Sequence, residues 1–167
     1  MIMAAANDKN DLLYLRKAIA LSEQMKARGK HPFAALIVDQ QGKVLAKAGN
    51  AFGWPDGDAT GHAELVAVRE ASRLYPPERL AAATLYSSAE PCAMCAGAIY
   101  WSGISRVVYA LSEGRLLSLT GNHPENPTLS LPCREVFARG QRVIEVVGPM
   151  LEDEAAVPHR DFWRSPK

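Results

Sequence analysis

The sequence predicts an α/β fold, one mixed sheet of five strands flanked by helices. Three observations lead there. Five short runs rich in Val, Leu, Ile, Ala and Tyr are bounded by Gly, Pro or polar turn residues, as strands are. Between them lie segments whose apolar residues recur at helical spacing. The resulting order, α-β-β-α-β-α-β-(α)-β, shows no internal repeat and no linker. The 167 residues therefore read as one domain, 1–167, with a core at about 11–150 and a tail at 151–167.

Residues 11–28, DLLYLRKAIALSEQMKAR, form the first expected helix. Leu12, Leu15, Ile19 and Met25 fall near one face, Asn10 or Asp11 can cap the start, and Gly29 ends it. Pro32 opens FAALIVD, a run suited to a buried strand; Gln40-Gln41-Gly42 turns the chain, and KVLAKAGN returns antiparallel. Residues 51–61, AFGWPDGDATG, are dense in Gly, Pro and Asp and read as a loop. A second helix is expected over 61–74, with Thr60 as its cap and Pro76-Pro77 as its stop. ATLYSSA is the third strand, PCAMCAGAIYWS the third helix, ended by Gly103, and RVVYAL the fourth strand. Residues 112–132 hold no clear period and read as loop with one short helical turn. REVFARG fits a helix and RVIEVVG the fifth strand, before a tail carrying DFWRSP.

Composition narrows the class of function. Hydrophobic residues make up 48% and charged residues 22%, which excludes a disordered or low-complexity chain. No run approaches ~18 consecutive apolar residues, so no membrane-spanning helix is expected. The start, MIMAAANDKN, lacks a basic region followed by a long apolar run, so no secretory signal is expected and the location reads as cytoplasmic. Nineteen Lys and Arg against 18 Asp and Glu give a net charge of +1, without the basic excess of a protein that grips a nucleic-acid backbone. Three cysteines are too few, and of the wrong parity, for a disulfide framework. The Cys92-x-x-Cys95 pair reads instead as metal or redox chemistry in a reducing compartment.

Two short motifs open helices. His62-Ala63-Glu64 begins the second, and Pro91-Cys92-Ala93-Met94-Cys95 the third, with 29 residues between His62 and Cys92. Cysteines at i and i+3 share a helix face, and the free N–H groups of a helix N-terminus favour the thiolate that binds metal. Pro91 fits there because its missing N–H would have had no intrahelical partner. With His62 they offer two thiolates and one imidazole, a set suited to one tetrahedral zinc ion per chain. Three protein ligands leave a fourth position to water, the mark of a catalytic site rather than a structural one. Cys133 is far downstream in a Pro-flanked segment, and His31, His123 and His159 stand singly. Glu64, two residues after His62, is placed to take a proton from water held at the open position. An isolated H-x-E is common, and an isolated C-x-x-C serves redox chemistry, structural zinc or plain packing. Together, each at a helix start, they point to catalytic metal.

GHAELVAVR and LYSSAEPCAMCAGAIYWSGISRVVYA resemble the zinc-dependent cytidine/deoxycytidylate deaminase superfamily, whose base deaminases carry H-x-E…P-C-x-x-C. The resemblance covers residues 11–110 well and the rest loosely. It implies a cytidine-deaminase-like three-layer sandwich, a five-stranded mixed sheet between helices. It also implies His62, Cys92 and Cys95 as zinc ligands, Glu64 as proton shuttle, hydrolytic loss of ammonia from a small nucleobase, and assembly as a homodimer.

AGAIYWSG after the last cysteine, and His31-Pro32-Phe33-Ala34-Ala35 at the first strand, are more similar to bacterial guanine deaminases than to tRNA adenosine deaminases. That likeness implies that Phe33 and Trp101 line a purine pocket, that Asn50 hydrogen-bonds the base, and that Ala63 lies at the substrate. Trp101 is nine residues from Cys92, half a turn out of phase at ~100° per residue. It can therefore line the pocket only from the helix end or across a subunit boundary; its other reading is a plain core aromatic. Phe162 and Trp163 can close over a bound base, as C-terminal aromatics do in related deaminases, or pin the tail to the core. Guanine deaminases of this type also carry acidic residues after the fourth strand. SLTGNHPENPT stands there instead, and Glu113 and Glu125 read first as exposed loop charges and second as substitutes in proton transfer. The expected activity is deamination of guanine or a close aminopurine. Alternatives are a tRNA adenosine deaminase, a deaminase of cytosine or another small aminated heterocycle, and a non-catalytic zinc-stapled interaction module.

Overall fold

The computed structural model describes residues 4–51 and 57–164. Its strands are β1 (Ala34–Val38), β2 (Val44–Gly49), β3 (Thr84–Ala89), β4 (Arg106–Leu111) and β5 (Glu145–Val147). Its helices are α1 (Ala4–Ala27), α2 (Ala63–Leu74), α3 (Pro77–Ala81), α4 (Ala93–Ser102), α5 (Glu113–Thr120), α6 (Cys133–Ala138) and α7 (Glu152–Ala156), followed by two 3₁₀ turns at Val157–His159 and Phe162–Arg164. The strands lie in the order β2-β1-β3-β4-β5; β1 is antiparallel to β2 and β3, whereas β3, β4 and β5 run parallel. The five-stranded mixed sheet is thus as expected.

Alternation of side chains decides the layers. Ala35 and Ile37, Leu85, and Val107 and Tyr109 project to one face, where Val66, Ala67, Ala71, Ile99 and Phe137 of α2, α4 and α6 cover them. Leu36 and Val38, Tyr86, and Val108 and Ala110 project to the other, against Leu15 and Ala18 of α1, Leu116 of α5 and Ala155-Ala156 of α7. A sheet covered on both faces needs apolar residues at every position of its central strands, and all five residues of β1 are buried. No helix of the described residues is long and apolar enough to cross a membrane.

Several expected boundaries move, each for a local reason. α1 starts at Ala4, not at an Asn10 or Asp11 cap. Asp11 sits buried on the helix face that meets the sheet, where its carboxylate takes two hydrogen bonds from Arg106 at 2.8 Å and one from the Tyr86 hydroxyl at 3.0 Å. Thr60 does not cap α2: its hydroxyl donates to Asp58, and His62 occupies the cap position. Pro76-Pro77 does end α2, yet Pro77 also opens α3, since proline is tolerated in a first helical turn. Residues 112–132 hold more than one turn: α5 runs for eight residues, with the Ser112 hydroxyl accepting from the Arg115 N–H. β5 is three residues rather than seven: only Glu145–Val147 pair with Arg106–Val108 of β4, and Pro149 has no N–H to extend the ladder. Of the expected loop at 51–61, residues 52–56 lie outside the described residues, as do residues 165–167 of the tail.

Candidate active site

Two helix starts meet at the carboxyl-end side of β3. His62 is the N-cap of α2 and Cys92 the N-cap of α4, so both side chains leave the backbone where their helices begin. Neither side chain makes a capping hydrogen bond, which leaves imidazole and thiol available to each other. His62 Nδ1 lies 3.5 Å from Cys92 Sγ, and the ligand atoms of His62, Cys92 and Cys95 all fall within 4.8 Å of one another. The chemistry of the donors, two sulfurs and one nitrogen, fits zinc. Electrostatics agree. The Cys95 thiol hydrogen-bonds to Cys92 and, with His62 beside it, holds the Cys92 thiol down at about 4, so that a thiolate is present at neutral pH. The same contact, with burial, pushes Cys95 up, and the Cys92 hydrogen bond raises His62.

Glu64, in the first turn of α2, is 6% exposed. Its Oε1 accepts from the Ser87 hydroxyl at 2.8 Å, and its Oε2 lies 3.7 Å from Cys95 Sγ. Burial pushes its carboxyl above the ordinary range. A carboxyl with raised proton affinity beside a metal cluster, yet outside it, can carry protons.

The cluster opens into a cavity of about 420 Å³. Phe33 and Asn50, two of the residues expected to contact substrate, line it. The structure separates the remaining expected residues from it. Ala63, the first residue of α2, is fully buried in the core and is not among the lining residues. Trp101 is 80% exposed at the far end of α4, outside the cavity of this chain, and it is no core aromatic. Phe162 and Trp163 do not line the cavity either. They pack behind it, with Trp163 5.0 Å from the His31 ring and 6.1 Å from Phe33, so within this chain the tail buttresses a wall.

Two polar lining residues, His31 and Glu90, were given no site role by the sequence, and two more, Glu113 and Glu125, were read there as proton-transfer substitutes only in second place. Glu113 and Glu125 are not exposed loop charges: both are half-buried and face the cavity. Burial and the nearby Glu90 push Glu113 up to about 7. His31 is 5% exposed, with Nε2 2.8 Å from Glu125 Oε2 and Nδ1 3.4 Å from Asn50 Nδ2. Glu90 joins three elements, its two oxygens accepting from the N–H groups of Glu113 and Cys133, each at 3.1 Å. The Glu-Pro-Cys string flagged Glu90 only as a neighbour of the metal ligands, and Glu125 lies in a segment without period. Cys133, buried at the start of α6, takes no part in the metal cluster.

Comparison with known proteins agrees with this geometry. Residues 8–111 match the family described as the cytidine and deoxycytidylate deaminase zinc-binding region. The chain is similar to a probable cytosine deaminase of Schizosaccharomyces pombe, 46% identical over 93% of both chains. It is also similar to a tRNA-specific adenosine deaminase of Bacillus subtilis, 35% identical over 92% of this chain and 89% of the other. Among solved structures, guanine deaminase from Nitrosomonas europaea superposes with a TM-score of 0.72 at 27% identity, over 91% of this chain and 84% of that one. A zinc-type donor cluster, a buried carboxylate beside it and a family match across 104 residues lead to one conclusion: the chain belongs to the cytidine and deoxycytidylate deaminase family.

Proposed function

We propose that the protein is a zinc-dependent hydrolase that deaminates a free nucleobase, with guanine or a close aminopurine as first substrate. The observation carrying this reading is the buried Glu64 carboxylate beside the His62–Cys92–Cys95 cluster, both opening into one cavity. A non-catalytic, zinc-stapled module has no use for an unliganded carboxylate there.

His62, Cys92 and Cys95 would hold the metal. Bound zinc supplies the Lewis acidity that makes water nucleophilic near neutral pH. The net reaction adds water at an amino-bearing ring carbon and releases ammonia, leaving a carbonyl. Glu64 moves the protons: it accepts from the attacking water and delivers to the ring nitrogen and the departing amine. Ser87 holds Oε1, so Oε2, on the Cys95 side, is the oxygen left to carry the proton. Phe33 offers an aromatic face to the base, and Asn50 a buried amide.

A cavity of about 420 Å³ falls in the range of ~300–1,000 Å³ typical of small-molecule sites, which supports a free base. The guanine deaminase among the structural neighbours supports a purine. Cytosine is the second reading, favoured by the 46%-identical relative named for that base. A homodimer belongs to the same proposal: it gives the exposed Trp101 ring a place at a partner's surface. The experiment is ammonia release from zinc-loaded protein over guanine, 2,6-diaminopurine, cytosine, the matching nucleosides and aminotriazines. Fastest release from an aminopurine supports the first reading and fastest release from cytosine the second. No release from any of them overturns the enzyme.

A further inference from the structure

We propose that His31 sets the hydrogen-bonding sense of the pocket, as a positioning residue that turns the Asn50 carbonyl oxygen toward the bound base. The inference rests on the free-base reading above.

The chain of reasoning starts at Glu125. A carboxylate only accepts, so the 2.8 Å contact between Glu125 Oε2 and His31 Nε2 places a proton on Nε2. In the neutral ring the lone pair then sits on Nδ1, which must face a donor. The group it faces, at 3.4 Å, is the Asn50 amide nitrogen. An amide has two ends; with its N–H given to His31, Asn50 has its Oδ1 left. No protein donor meets that oxygen among the described residues, although Asn50 is only 4% exposed and lines the cavity. An amide oxygen left on the cavity side is open to a ligand N–H, which completes it.

Nothing in this arrangement is loose. The Asn50 backbone N–H donates to the Phe33 carbonyl at 3.2 Å, which ties Asn50 to the residue that forms the aromatic wall. The His31 ring is packed between Phe162 at 5.9 Å and Trp163 at 5.0 Å. The Trp163 indole N–H is taken by His159 Nδ1 at 3.1 Å and does not compete for His31. The buried tail thus holds the ring, Glu125 sets its tautomer, and the tautomer orients Asn50. The pocket consequently selects a base that presents an N–H, rather than a carbonyl or bare ring nitrogen, to this wall.

Two measurements test it. Two-bond proton–nitrogen spectra of the folded wild type near neutral pH, assigned by the signals lost in His31→Phe, are expected to show His31 neutral with its proton on Nε2. A ring protonated at Nδ1, alone or together with Nε2, overturns the proposal whether or not the protein turns over any base. The second measurement is kinetic, with guanine and cytosine as probes. His31→Phe keeps the ring packing but loses both hydrogen bonds. It should lower kcat/KM on the order of 10²-fold, mainly through KM, with zinc content unchanged. His31→Gln, whose amide offers one acceptor and one donor, should recover most of that loss. Because His31 acts through Asn50, His31→Phe should cost nothing further in an Asn50→Ala background. Additive losses, or His31→Phe behaving like wild type, overturn the proposal and leave the deaminase reading standing. A wild type that releases no ammonia removes that reading, while the spectrum still decides the orientation of His31.

Discussion

The Ser87 hydroxyl on β3 donates to Glu64 Oε1 on α2 across 2.8 Å, joining the sheet to the first turn of the helix that carries His62. Both residues are buried, Ser87 at 1% and Glu64 at 6% exposure. A carboxylate withdrawn from water needs its lone pairs met, and this donor fixes one oxygen while leaving the other beside Cys95. Ser87→Ala should therefore lower kcat by about tenfold, the equivalent of one hydrogen bond at ~1.4 kcal/mol, with KM and zinc content little changed. Ser87→Thr keeps the hydroxyl and should restore the rate. Unchanged kcat in the alanine variant would show that α2 alone orients Glu64.

Glu64→Gln separates metal binding from proton transfer. It removes no ligand, so fold and zinc stoichiometry should match wild type. Steady-state ammonia release on the best substrate should fall by at least ~10²–10⁴-fold, and further if one carboxylate serves both water attack and amine departure. Near-normal turnover with full zinc would move the proton-carrying role to another cavity carboxylate, with Glu113 or Glu125 the first to examine.

Elemental analysis should find one zinc per chain, and His62→Ala, Cys92→Ala and Cys95→Ala should each lose it. The expectation follows from three donor atoms within 4.8 Å of one another and the absence of a fourth His, Cys, Asp or Glu from that group among the described residues. A crystal structure with a fourth protein ligand on the metal would sink the catalytic reading.

Binding to tRNA should be weak and nonspecific at ~150 mM salt, because affinity for a phosphate backbone is carried by cationic neutralisation and this chain has a net charge of only +1. Tight, saturable complexes in a gel-shift titration would revive adenosine editing, the activity named for the Bacillus subtilis relative.

Leu85→Ala should destabilise the fold by about 2–5 kcal/mol in urea-induced unfolding, since the side chain is fully buried on the middle strand of the sheet, on the face that α2 and α4 cover. A loss below ~1 kcal/mol would mean that the helix layer relaxes into the space and packs less tightly than its burial indicates.

The metal donors were legible because their signals are local. Cys92 and Cys95 sit three residues apart and His62 and Glu64 two apart, each pair at the start of its own helix, so backbone geometry alone aims them. Trp101 was not legible in this way: likeness of motif put it at the pocket, whereas within this chain it stands 80% exposed outside the cavity, on the side of α4 away from Cys92. The five strands declared themselves by composition, and β1, β3 and β4 fall within a residue or two of the expected runs. The short β5 did not, because its extent is set by pairing with Arg106–Val108 of β4, residues remote in sequence.

The sequence by itself determined the sheet, the metal donors and the carboxylate beside them, since each depends on helical or strand period within a few residues. Tertiary structure alone decided the rest of the cavity. His31 meets Glu125 across 94 positions of chain, and Glu90 reaches the backbone of Cys133 across 43. No period links such pairs; they are neighbours because the crossover from β4 returns its loop over the end of β1. The place of the tail is decided in the same way: Trp163 is buried against His31 and Phe33, and the half-buried Phe162 packs edge-on to His31, contacts that span more than 120 positions of chain.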